Sequence, residues 1–140
     1  MSAKNFIDSN IFIYLFDETD TIKCKSSERL IQHALESGTG CISYQVVQET
    51  INVLTKKLNA TPEEARQLLD CVLIPLWQIN PTQMFYRRGL DLQSRYQFSF
   101  YDSLIVAAAL EAGCKTLFSE DLQHGQRIEQ LIIKNPFMEE

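Results

Sequence analysis

A chain of 140 residues is long enough for one domain, spanning 1–140, with a true core: a globule of this size hides roughly two-thirds of the surface that its unfolded chain exposes. Its composition, 45% hydrophobic and 22% charged with no biased or repeated stretch, excludes a disordered, low-complexity or repeat protein. A formal charge of -5 excludes a protein that simply coats nucleic acid, but not a nucleic-acid enzyme whose acidic centre is offset by bound cations.

Asn5 to Asp8 reads as a short buried strand and Ser9 as a helix start, although the apolar residues Ile11 to Phe16 could equally extend the strand. From Thr21 to Glu36, the residues Ile22, Leu30, Ile31, Ala34 and Leu35 have helical spacing, and Ser37-Gly38-Thr39-Gly40 closes that helix. Cys41 to Ser43 fits a second strand, and Ser43 is placed to cap a helix running to about Leu58. Thr61-Pro62-Glu63-Glu64 opens another helix, with a threonine cap, proline in the first turn and acids behind it. Leu76 to Asn80 reads as a strand, Pro81 to Tyr96 as a helix, and Ser99 to Ala112 as a helix stopped by Gly113. Lys115 to Phe118 and Leu131 to Ile133 complete the strands.

Short apolar strands alternating with helices predict an α/β fold: a three-layer α/β/α domain around a central, mostly parallel sheet. In such sheets, sites form beyond the carboxyl ends of the strands. The longest apolar run, Leu104 to Leu110, is far below the roughly 18 to 20 residues that span a bilayer, so no membrane segment is expected. The first residues lack the pattern of a secretory signal, and the expected location is cytoplasmic. Cys24, Cys41, Cys71 and Cys114 form no CxxC pair and read as reduced thiols.

Four acids stand out by position. Asp8 ends the first strand, and Asp121 follows a later one by a few residues. Glu49 shares a helical face with Val46 and Val53, and Asp102 shares one with Ile105, Val106 and Ala109. Each also has a plain explanation. Asp8 can cap the helix that follows it, Glu49 can reach water or a nearby base, Ser99 to Asp102 forms a capping box, and Asp121 can be a turn residue beside a solvated Glu120. In a compact domain the four places can converge. Clustered carboxylates repel and are driven to hold protons unless a cation joins them. Oxygen donors with no His or Cys select hard ions, Mg²⁺ first and Mn²⁺ as its substitute.

These residues resemble the PIN-domain nucleases, and within them the VapC-type ribonuclease toxins of bacterial toxin–antitoxin pairs. "FIDSNIFIYLF", "VVQET", "FSFYDSLIVAAAL" and "TLFSEDLQHGQRIEQLIIKNPF" carry the likeness, over essentially the whole chain. The resemblance implies an acidic catalytic centre of Asp8, Glu49, Asp102 and Asp121, with Asp8, Asp102 and Asp121 as metal ligands. It implies Ser9, Asn10 and Ser119 as donors orienting those carboxylates, Ser9 and Ser119 standing where the family often has Thr. It also implies Mg²⁺-dependent endoribonuclease activity leaving 5′-phosphate and 3′-hydroxyl ends, a cognate antitoxin partner and a homodimer.

Candidate RNA-holding residues outside the acids are Lys56-Lys57, Arg87-Arg88, Arg95 with Tyr96, and Lys115. His124 lies near Asp121 in sequence, in a loop that reads as solvated. Two other readings stay open: a PIN-like RNA-processing nuclease that is not a toxin, and a metal-stabilised RNA- or protein-binding module without turnover. A haloacid-dehalogenase-type phosphatase would need a second Asp where the chain has Asn10, and a receiver domain would need paired acids before its first helix.

Overall fold

The first strand lies at the middle of the sheet, and the chain builds outward from it in both directions. In the computed structural model, which describes residues 4–138, the six-stranded sheet has the order β3-β2-β1-β4-β6-β5. The strands are β1 (Asn5–Ile7), β2 (Gly40–Ser43), β3 (Trp77–Ile79), β4 (Thr116–Phe118), β5 (Arg127–Ile128) and β6 (Leu131–Lys134). All neighbours are parallel except β5, which pairs antiparallel with β6. Phe6 sits opposite Cys41 on one side and Leu117 on the other, all three fully buried. Strands buried on both faces read as continuous apolar runs, which is why these short segments were recognisable.

Seven helices surround this sheet among the described residues: α1 (Ser9–Ile13), α2 (Thr21–Ser37), α3 (Tyr44–Lys56), α4 (Pro62–Leu68), α5 (Ile74–Leu76), α6 (Gln83–Tyr96) and α7 (Phe100–Glu111). A single 3₁₀ turn, Tyr14–Phe16, extends α1, so the apolar run after Asp8 is helical and does not lengthen the strand. Helix α4 begins with the expected threonine cap, which the structure completes as a capping box, Thr61 and Glu64 each bonding the other's backbone N–H. It then widens into a π-helical turn, Leu69–Leu73, before α5. Helix α7 is the most deeply buried, with every residue from Ser103 to Leu110 inside.

Three local expectations change. Ile22 on α2 is 80% exposed, because the buried stripe of that helix runs through Ser27, Ile31 and Ala34. Ser43 occupies the cap position of α3, yet its hydroxyl makes no capping bond. Strand β5 has no counterpart in the sequence reading: its hairpin turns through Glu129, at φ 55°, with no glycine to signal it. The four cysteines are free thiols, as expected, with Cys41 and Cys114 buried side by side.

Two glycines shape the approach to β2. Gly38 ends α2 in the left-handed conformation, where a side chain would be strained. Gly40 lets α2 and α5 close onto the strand: a Cβ there would lie 2.7 Å from the Ala34 Cβ and 2.8 Å from a Leu76 methyl. Gly40→Ala should therefore destabilise the protein by about 1–3 kcal/mol, the usual cost of overpacking a tight core, as measured by urea unfolding.

Candidate active site

Because the chain moves from β1 outward to β2 and β3, then returns to place β4 on the opposite side of β1, a crevice opens at the carboxyl ends of β1 and β4. Two backbone bonds extend the ladders into it: the Asp8 N–H donates to the Phe118 carbonyl at 2.9 Å, and the Ser119 N–H to the Lys134 carbonyl at 3.0 Å. Asp8 is thereby fixed at the floor, 5% exposed. One of its carboxylate oxygens accepts the Ser9 N–H at 2.8 Å, and the other accepts the Ser119 hydroxyl at 2.7 Å. Asp8 is thus the N-cap of α1 and a buried carboxylate of the crevice at once.

The second wall is the turn after β4. The Asn10 carboxamide donates to the Asp121 carboxylate at 3.0 Å and accepts the Glu120 N–H at 3.3 Å, while the Ser119 hydroxyl accepts the Asp121 N–H at 3.2 Å. Ser119 and Asn10 therefore orient the acids through their side chains, whereas Ser9 does so through its backbone N–H. Asp102 enters on the first turn of α7, where the Ser99 hydroxyl accepts its N–H at 3.2 Å, and Glu49 enters from the second turn of α3.

Electrostatics tie the four together. Burial pushes the Asp8 carboxyl up to about 7, against the pull of the Ser119 and Ser9 bonds, and the charges of Glu49 and Asp121 push it the same way. Glu49 is also raised, first by lost hydration and then by Asp102 and Asp121, with Gln45 partly offsetting them. The carboxylates feel one another, yet among the described residues no three acid, His or Cys side chains already close around one point as a cation cage. The donor set is all oxygen, and the repulsion that raises Asp8 and Glu49 is what a nearby double positive charge relieves. Its chemistry fits a hard divalent ion.

Glu120 was expected in water and is instead part of the wall. It accepts the Tyr14 hydroxyl at 2.5 Å and pairs with Lys23, whose ammonium also lies over the rings of Tyr14 and Phe137. His124 is likewise not a free loop residue: its Nδ1 accepts the Asn135 N–H at 3.0 Å and fastens the segment after β6. Of the basic candidates, Lys115 precedes β4 and so lies at the opposite end of the sheet from the crevice, and Arg88 is paired with Glu129 at 3.0 Å. Lys56 closes α3, almost two turns beyond Glu49. Sequence reasoning missed Glu120 because its partners, Tyr14 and Lys23, lie about a hundred residues away and no local pattern signals the contact.

The raised pKa of Asp8 has a definite consequence for stability without metal. In the unfolded chain the group titrates near 4 and in the fold near 7, so its contribution is fully present below about pH 4 and is lost as pH rises through 7. In EDTA, Asp8→Asn should therefore be more stable than wild type at pH 8, by about 2–4 kcal/mol. That advantage should shrink as pH falls from 7 towards 4, as read from urea unfolding at each pH.

Residues 6–127 match the sequence model of the PIN domain. No curated protein sequence matches the chain. Among solved structures, the chain resembles the Mycobacterium tuberculosis toxin VapC20, which cleaves the sarcin–ricin loop, at 17% identity and a TM-score of 0.62, over 84% of this chain and 92% of that one. It resembles a chain of a toxin–antitoxin complex from Klebsiella pneumoniae at 19% identity and 0.68, over 96% and 98%. A chain of VapBC2 from Rickettsia felis, solved bound to a promoter DNA fragment, matches at 18% and 0.66, over 93% and 96%. These likenesses are of fold. With the family model covering nearly the whole length, the chain belongs to the PIN-domain family.

Proposed function

We propose that the protein is a metal-dependent endoribonuclease that hydrolyses RNA phosphodiester bonds, with Asp8, Glu49, Asp102 and Asp121 as its catalytic acids. The observation that carries this reading is Asp8: a carboxylate buried at the floor of an open crevice, raised to about 7 by burial and by neighbouring acids, serves stability poorly. Asp8, Asp102 and Asp121 would hold the divalent ion, which we take to be Mg²⁺ with Mn²⁺ as a substitute. When bound, such an ion polarises the phosphodiester and lowers the pKa of a water.

The chain's own residues do the rest. Ser119, Ser9 and Asn10 keep the Asp8 and Asp121 oxygens pointed into the crevice, so no reorganisation is needed when substrate arrives. Glu49, solvent-accessible and more basic than an ordinary glutamate, is suited to accept the proton of the attacking water. Cleavage leaves 5′-phosphate and 3′-hydroxyl ends.

The resemblance to VapC20 and to the chains of two toxin–antitoxin assemblies supports a further step: the protein acts in the cytoplasm as the toxin of a type II pair, as a homodimer restrained by a cognate antitoxin. Exposed apolar side chains such as Ile22, Met84 (69%) and Leu90 (54%) supply surface for such protein contacts. No helix among the described residues is long and apolar enough to cross a membrane.

Brief expression followed by sequencing of RNA ends should give discrete cleavage sites for the wild type. Asp8→Asn should lose at least about 10²-fold in cleavage rate. The same map from both proteins would reject the nuclease assignment. Independently of substrate, Mg²⁺ at a hundredfold excess over Kd should stabilise the wild type by about 2.7 kcal/mol, and Asp102→Asn should blunt this in a thermal melt.

A further inference from the structure

A second concavity adjoins the acidic crevice, of about 250 Å³, between the start of α3, the start of α7, β3 and α6. Its walls are aromatic: Tyr44, Phe85, Tyr86, Phe100 and Tyr101, with the tyrosines 38%, 41% and 67% exposed in that order. It shares two backbones with the acidic centre, since Tyr101 precedes Asp102 and Gln48 precedes Glu49, and both pairs sit on helices that the crevice also uses. The Gln45 carboxamide donates to the Tyr101 carbonyl at 3.1 Å, tying α3 to α7 between the two.

Two features define what belongs there. Among the described residues no Lys, Arg, Asp or Glu lines the pocket, so it offers a phosphate no compensating charge and suits a neutral ring. Ser43, 3% exposed, is among the residues that line it; its buried hydroxyl has no hydrogen-bond partner among the described residues and does not cap α3. A buried hydroxyl left unpaired costs stability, so in a finished site it is expected to meet a partner.

We infer that this pocket takes one unstacked nucleobase of the RNA, holding it against the tyrosine rings while Ser43 bonds its polar edge, so that the adjoining phosphodiester is presented to the acids. This rests on the ribonuclease reading above. Flat, neutral and amphipathic, a base is the part of RNA that suits aromatic walls with a few polar groups, and single-stranded RNA is commonly held in this way. The phosphates stay outside, on the side of the acidic centre and its cation.

The test uses a short single-stranded RNA carrying 2-aminopurine at each position in turn, with the full chain in the Asp8→Asn background and Mg²⁺ present, so that binding is read without turnover. One position should be quenched on binding. Adding Tyr101→Ala should remove that quenching and weaken binding by roughly five- to a hundredfold, the effect of deleting one stacking partner. Ser43→Ala should leave the free protein as stable or more so, since it removes an unpaired hydroxyl, yet flatten the base preference beside the scissile bond when placed in the active protein. Quenching and base preference unchanged by both substitutions would overturn the assignment and leave the pocket to a protein partner. Because the quenching needs no cleavage, loss of the nuclease reading and loss of the pocket reading show up in different measurements.

Discussion

The structure turns on one carboxylate placed in an environment that opposes its charge. Asp8 lies at the floor of the crevice because β1 is a central strand, flanked by closely packed and mostly apolar residues. Among the described residues two hydrogen bonds compensate its carboxylate, one local from the Ser9 N–H and one from the Ser119 hydroxyl, far along the chain. They lower its pKa but do not outweigh burial, which leaves an acid near the midpoint of its titration at neutral pH. A fold that selected only for stability would put an apolar residue or an asparagine there. Retaining the acid makes sense where a cation completes the site.

Around Asp8 the protein builds a brace, more extensive than the four acids alone suggest. Asn10 grips the Glu120-Asp121 turn from both sides, and Glu120 is held in turn by Tyr14 and Lys23. Lys23 lies over the Tyr14 and Phe137 rings, which meet edge to face at 5.1 Å. Residues of α1, α2, the turn after β4 and the segment after β6 thus share one hydrogen-bonded and aromatic cluster. Such networks fix side-chain positions to the tolerance that phosphoryl chemistry requires.

Much of this was legible in the sequence, for reasons that differ by element. The buried parallel strands announce themselves as apolar runs, and Thr61, Ser99, Gly38 and Gly113 mark helix ends by local chemistry that tertiary structure did not override. Asp8 could be read as cap or as site, and it caps α1 from a buried position at the end of β1; at α7 the Ser99 hydroxyl accepts the Asp102 N–H, whereas the Asp102 carboxylate makes no reciprocal capping-box bond to Ser99 among the described residues. What could not be read were partnerships between distant residues. Glu120 looked solvated because nothing local predicts that Tyr14 and Lys23 reach it. Ser43 looked like a helix cap because its residue type is right for the position, and only the fold shows that its hydroxyl is left over. The β5 hairpin was hidden because Glu129 adopts a left-handed turn that the sequence usually signals with glycine or asparagine, steadied here by its ion pair with Arg88.

The bonds from Ser119 to Asp8 and from Asn10 to Asp121 each span 111 residues. Synthesis proceeds from the amino end at about 5–20 residues per second, so the first half of the acidic centre emerges from the ribosome several seconds before the second. During that interval Asp8 has neither the Ser119 hydroxyl nor the neighbouring β4 strand, and no crevice exists. A partly made chain therefore lacks the assembled acidic centre, which comes together only once the polypeptide has closed upon itself.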